Sequence, residues 1–71
     1  MVRADHRSIA ILGLGYVGLP LAEAASHHFE VIGFDVDEDV VARLNRGSSH
    51  IQDLDDAQIS NMVSKGFRAT H

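Results

Sequence analysis

The chain has 71 residues and so holds at most one domain; a chain this short buries only about 60% of the surface its unfolded form exposes. Six lysines and arginines, scattered along a sequence of net charge −4, lack the basic stripe of a nucleic-acid surface. Without cysteine there is no disulfide scaffold, thiolate metal site or cysteine nucleophile within these residues, and no apolar run approaches the ~20 residues needed to cross a bilayer.

Residues 1–7 read as a flexible N-terminus. Met1-Val2-Arg3-Ala4-Asp5-His6-Arg7 has no apolar core of the kind a signal peptide carries, which makes the cytoplasm the expected location. Next comes Ser8-Ile9-Ala10-Ile11-Leu12, a short apolar run with the length of a buried parallel strand. It feeds directly into Gly13-Leu14-Gly15-Tyr16-Val17-Gly18, a Gly-x-Gly-x-x-Gly turn. Each glycine has its own task there: Gly13 turns the chain out of the strand, Gly15 lets the backbone approach a pyrophosphate, and Gly18 lets the next helix pack against the strand. Leu19, Leu21, Ala22, Ala24 and Ala25 give that helix an apolar face. Pro20 is tolerated, because amides in the first turn have no intrahelical partner to lose. Those same free amides, with the helix dipole, form an anion site that needs neither Lys nor Arg.

Ser26-His27-His28-Phe29 then returns the chain into a second strand, Glu30-Val31-Ile32-Gly33-Phe34. A connection this short fits a right-handed crossover, which sets the two strands side by side. Asp35 follows, 22 residues after Gly13, at the distance where a dinucleotide fold carries the acid that accepts the adenosine ribose hydroxyls. A carboxylate there repels a 2′-phosphate, so the expected cofactor is NAD rather than NADP. Asp37 is placed to cap a second helix with Val40, Val41 and Leu44 inward and Gly47 as its stop. After a polar loop anchored by Ile51, Asp55 and Gln58 form a capping box. Leu54 and Ile59 are spaced as a hydrophobic staple, Ile59, Met62 and Val63 make the buried face of a third helix, and Gly66 ends it. Phe67-Arg68-Ala69-Thr70 reads as the start of a third strand. The fold class is therefore α/β: an N-terminal β-α-β-α-α portion of a Rossmann doubly wound parallel sheet, incomplete, since a whole one has about six strands. Both edges of such a partial sheet are expected to lie unpaired.

Several residues invite other chemistry. The five histidines show no ligand spacing, so no metal site is assigned and solvent-exposed histidines are expected. In the acidic pairs Asp35/Asp37 and Asp55/Asp56, helix capping accounts for Asp37 and Asp55, and nothing in the sequence places a proton donor opposite them, so no catalytic acid or base is assigned. The Tyr16 ring, inside the glycine turn, can pack against the protein, over a cofactor or, in a complete enzyme, toward the substrate side.

The residues Gly13-Leu14-Gly15-Tyr16-Val17-Gly18-Leu19-Pro20-Leu21-Ala22, with Val31-Ile32-Gly33-Phe34-Asp35-Val36-Asp37 and Leu44-Asn45-Arg46-Gly47, resemble the N-terminus of the UDP-glucose/GDP-mannose dehydrogenase family. With the Ser49-His50-Ile51 loop, they are most similar to its UDP-N-acetylglucosamine and UDP-N-acetylmannosamine 6-dehydrogenases. The resemblance covers Ser8 to Thr70. It implies a nucleotide-sugar 6-dehydrogenase that oxidises the C6 hydroxyl of a UDP-sugar to a carboxylate, reducing two NAD, for surface polysaccharide synthesis. It further implies that Gly13, Gly15 and Gly18 contact the pyrophosphate, that Tyr16 and Val17 offer backbone N–H groups and that Asp35 holds the ribose. The family's catalytic cysteine, its lysine and aspartate helpers, its dimerising helix and its sugar-binding domain all correspond to sequence beyond these residues. No catalytic residue is assigned, and UDP-sugar and homo-oligomer partners belong only to a complete enzyme. The competing reading is a truncated, non-catalytic module that binds NAD(H) or another subunit.

Overall fold

The computed structural model describes the backbone of residues 2–4 and the whole of residues 8–71. Its elements run β1 (Val2–Ala4), β2 (Ser8–Leu12), α1 (Gly18–Ser26), β3 (Glu30–Phe34), α2 (Glu38–Asn45), α3 (Asp56–Ser64) and β4 (Arg68–Thr70). They build one sheet of order β1-β2-β3-β4. The parallel part is in register from Ser8 opposite Glu30 to Leu12 opposite Phe34, and from Ile32 opposite Arg68 to Phe34 opposite Thr70.

Alternation along the strands sets the layers. Ile11, Val31 and Ala69 are buried against Leu19 and Ala22 of α1, Val41 and Leu44 of α2, and Ile59 and Met62 of α3, with Phe67 closing the core. The opposite face keeps Leu12, Ile32 and Phe34 exposed by 49%, 38% and 39%, so among the described residues the helices cover one side of the sheet. Gly33 serves the covered side, because any Cβ there would strike the Leu14 side chain that packs over it.

Helix ends follow the sequence closely. The Asp37 carboxylate accepts from the Asp39 and Val40 amides at the start of α2, and Asp55 and Gln58 form a complete capping box at the start of α3. Both Leu54 and Ile59 of the expected staple are buried. In α1 the buried positions are Leu19, Ala22 and Ser26, one stripe at helical spacing. Leu21 and Ala24, expected on that stripe, fall about 100° or more away from it on the helix and are exposed.

At the sheet edges the structure departs from expectation. Val2–Ala4, expected outside the sheet as part of a flexible N-terminus, pairs antiparallel with Ile9–Ile11 and closes the β2 edge. Residues 1 and 5–7 lie outside the described residues. On the other edge, the Asn45 carboxamide accepts from the Ala69 N–H and donates to the Ala69 carbonyl, both at 2.8 Å. The expectation of two open edges is thus corrected, since backbone groups left bare by the parallel ladder find partners within the same chain.

The histidines divide by position. His27 bonds Glu23 at 2.7 Å and Lys65 at 3.1 Å, linking α1 to the end of α3 far from the glycine turn. His28 and His71 are exposed as expected, but His50 is half-buried and its Nδ1 has no hydrogen-bond partner. His6 lies outside the described residues. Among the described residues no three His, Asp or Glu side chains cluster as a metal site, and no helix is long and apolar enough to cross a membrane.

Candidate cofactor site

The site forms where β2 and β3 end together. Gly13 leaves β2 with φ 90°, a left-handed backbone that a side chain disfavours. Its N–H donates to the Phe34 carbonyl at 2.7 Å, which stitches the turn to the end of β3. Gly18 opens α1 so close to this turn that a Cβ would drive into the Gly13 carbonyl oxygen. Gly15 is different: its φ is not positive and a Cβ would meet nothing of the protein within 4 Å. The fold itself therefore does not require glycine at position 15, whereas a pyrophosphate lying against that backbone does.

The backbone donors are also in place. The first helical bond runs from the Leu19 N–H to the Gly15 carbonyl at 3.0 Å, and Val17 at the N-cap supplies no side-chain cap. Among the described residues, the amides of Gly15, Tyr16, Val17 and Gly18 have no intramolecular acceptor. Four unpaired N–H groups at one helix start provide partial positive charge for an anion. The Tyr16 ring is 69% exposed beside them, so it is not packed into the protein core.

Asp35 stands at the other end of the site with two bonds already made. Its Oδ1 accepts from the Asp37 N–H at 2.9 Å and its Oδ2 from the Leu14 N–H at 2.8 Å. The Asp37 bond, then the Leu14 bond, holds the carboxyl below the usual carboxylate range; burial opposes this and the attraction of His50 assists it. The anion keeps further lone pairs on both oxygens, since a carboxylate offers about four acceptor sites. Beside it a hollow of about 320 Å³ is lined by Leu12, Gly13, Phe34, Asp35, Val36 and His71. Its walls are largely apolar, which suits the flat face of a base.

All six expected residues, Gly13, Gly15, Tyr16, Val17, Gly18 and Asp35, thus lie at the same end of the sheet. The sequence reading missed the apolar walls, Leu12, Phe34 and Val36. Their signal was available: Leu12 and Phe34 are the last residues of neighbouring strands and share the face left uncovered by the helices. It also missed that Asp35 ties the glycine turn to β3, a contact across 21 residues that no local pattern reveals.

A parallel strand, a three-glycine turn, a helix start rich in free amides and an acid ending the next strand together define a dinucleotide-binding protein of the Rossmann type. Residues 7–71 match the model of the UDP-glucose/GDP-mannose dehydrogenase family, NAD binding domain. The chain belongs to that family, and the cofactor of this domain is NAD. It is 45% identical over 69 residues to an NDP-N-acetyl-D-galactosaminuronic acid dehydrogenase of Ralstonia nicotianae, covering 93% of this chain and 16% of that protein. It is 42% identical over 60 residues to the UDP-N-acetyl-D-mannosamine dehydrogenase of Escherichia coli K12, covering 83% of this chain and 14% of that one. The structure of a UDP-D-ManNAc dehydrogenase from Pyrococcus horikoshii superposes with a TM-score of 0.78 at 34% identity, over 90% of this chain and 16% of that structure. The 71 residues therefore span about a sixth of the length of these relatives.

Proposed function

We propose that this chain supplies the adenosine and pyrophosphate contacts for NAD in an oxidoreductase that oxidises the C6 hydroxyl of a UDP-sugar to a carboxylate. Gly13, Gly15 and Gly18 shape the turn, the amides of Tyr16 and Val17 join those of Gly15 and Gly18 in holding the pyrophosphate, and Asp35 accepts the ribose hydroxyls. NAD, when bound, supplies the hydride acceptor. The hydride leaves C6 of the sugar and no proton acceptor is assigned to a residue of this chain, so the chain's part is to bind and orient. The two similar dehydrogenases carry N-acetylated sugars in their names, which supports a substrate of that class. Products of this kind feed surface polysaccharides, and a cytoplasmic location and a homo-oligomeric whole enzyme accompany that role.

The observation that carries the reading is the empty space beside Gly15, next to amides with no acceptor. Its test is a titration of the isotope-labelled chain with NADH, followed by amide NMR. Shifts are expected at Gly13 through Gly18, at Asp35 and at the walls of the hollow, Leu12, Phe34 and Val36, and Gly15→Ala abolishes them while leaving the rest of the spectrum unchanged. Equal response in the wild type and Gly15→Ala would sink the assignment.

A further inference from the structure

At the end of α1 away from the glycine turn, three side chains join that helix to α3. His27, the C-cap of α1, has both ring nitrogens engaged: Nε2 lies 2.7 Å from Oε2 of Glu23, one turn earlier, and Nδ1 lies 3.1 Å from Nζ of Lys65, the C-cap of α3. These partners fix the state of the ring. An ammonium is only a donor, so Nδ1 accepts and carries no proton; an ionised carboxylate is only an acceptor, so the proton sits on Nε2. The arrangement therefore requires a neutral imidazole in one of its two tautomers. An imidazolium, with N–H on both nitrogens, keeps the Glu23 bond and loses the one to Lys65.

We propose that His27 is a proton-operated clasp between α1 and α3: the neutral ring links Lys65 to Glu23, and a proton taken up on Nδ1 releases Lys65, leaving the two helix ends joined by packing alone. The groups around the ring act in both directions. Glu23 and the C-terminal carbonyls of α1 attract the imidazolium. The Lys65 ammonium repels it, and His28, its neighbour in the chain, adds to the repulsion whenever it is protonated too. Glu30 lines the same hollow as His27 and Lys65 and draws the released ammonium. The His27 side chain is 44% exposed, so the proton reaches it from solvent without unfolding. Imidazole changes charge between about pH 5 and 8, where carboxylates and ammonium groups keep theirs, so the ring alone decides the state of the clasp. It lies about 13 Å along α1 from the residues that open that helix, and the inference stands whether or not NAD binds.

The test is imidazole and amide NMR of the isotope-labelled chain between about pH 8 and about pH 5. At the upper end His27 is expected as the Nε2–H tautomer, with nuclear Overhauser contacts between its ring and the Lys65 side chain. At the lower end those contacts are expected to be lost, and the amide of Gly66, next in the chain after Lys65, to shift in step with the protonation of the ring. Lys65→Met changes an exposed side chain and should shrink the Gly66 response about threefold or more, because the part that passes through the Lys65 bond is gone. His28→Gln should leave that response unchanged, which separates the two adjacent rings. An Nδ1–H tautomer at the upper end would overturn the proposal. So would Lys65 contacts that survive protonation of the ring, or an equal Gly66 response in Lys65→Met. If a variant does not fold, the tautomer and the Lys65 contacts of the unaltered chain decide by themselves.

Discussion

Gly15 and Gly18 stand three residues apart in one turn, yet a methyl group on each meets opposite surroundings. At Gly18 it collides with the backbone carbonyl of Gly13, a residue whose own N–H is held by a 2.7 Å bond to the Phe34 carbonyl. Gly18→Ala is therefore expected to cost about 3 kcal/mol or more. That is a large part of the roughly 4–10 kcal/mol that a chain of this length holds by the usual per-residue range. Gly15→Ala meets open space and should change stability by no more than about 0.5 kcal/mol while removing the response to NADH. Urea denaturation of both variants checks this contrast; equal losses of stability would show that position 15 serves the fold. Asp35 makes a second residue-scale prediction. Its folded carboxyl lies below the ordinary range, so the stability it contributes is fully present above the unfolded value and is lost as pH falls through the folded one. Thermal melts from pH 7 down to acid are expected to show Asp35→Asn less stable than wild type at neutral pH. The gap should narrow as acid protonates the native carboxylate. A gap of constant size at every pH would contradict the assigned hydrogen bonds.

Elements whose ends are written in short-range chemistry were legible in the sequence. Asp37, Asp55 and Gln58 cap their helices as their spacing predicts, and α2 and α3 are followed by Gly47 and Gly66 at φ 81° and 105°. Those interactions span at most a few residues, so local pattern is sufficient to find them. The edges were not legible, because what decides them lies far off along the chain. Asn45 reads as an ordinary residue near a helix end, and only the fold brings its carboxamide against Ala69, 24 residues away. Likewise, a three-residue strand has too few positions for alternation to register. Asn45 carries the element-scale prediction. Asn45→Leu removes one donor and one acceptor together and leaves the partly buried backbone of Ala69 unpaired, which costs about 1–3 kcal/mol. Exchange of the Ala69 amide should accelerate while the amides of β2 are unchanged at equal global stability. Uniform acceleration through the sheet would mean that Asn45 supports the core rather than the β4 edge.

At the scale of the whole molecule, covering the sheet on one face only determines how much of a dinucleotide the chain can grip. The apolar hollow and Asp35 lie where β2 and β3 end, and the free amides stand at the start of α1 between them and Leu21. In a complete doubly wound domain the second mononucleotide half lies on the other side of the strand that enters the glycine turn. In this chain that side holds the antiparallel β1 and the exposed residues Leu12 and Leu21. On the proposed function the groups present recognise a base, a ribose with a free 2′-hydroxyl and a diphosphate, and they offer little to the nicotinamide end. Binding pays for lost translational freedom whatever the ligand's size, so half a site yields weak affinity. ADP is accordingly expected to displace NADH with an affinity within about threefold of NADH itself, since the discarded half makes few contacts. The 2′-phosphorylated analogue of ADP should bind at least about tenfold more weakly, because its phosphate confronts the Asp35 carboxylate. Competition titrations read by amide shifts at Gly15 and Asp35 measure both ratios. NADH binding far more tightly than ADP would mean that the chain holds the nicotinamide half as well, through the surface beside Leu12 and Leu21 that now lies open.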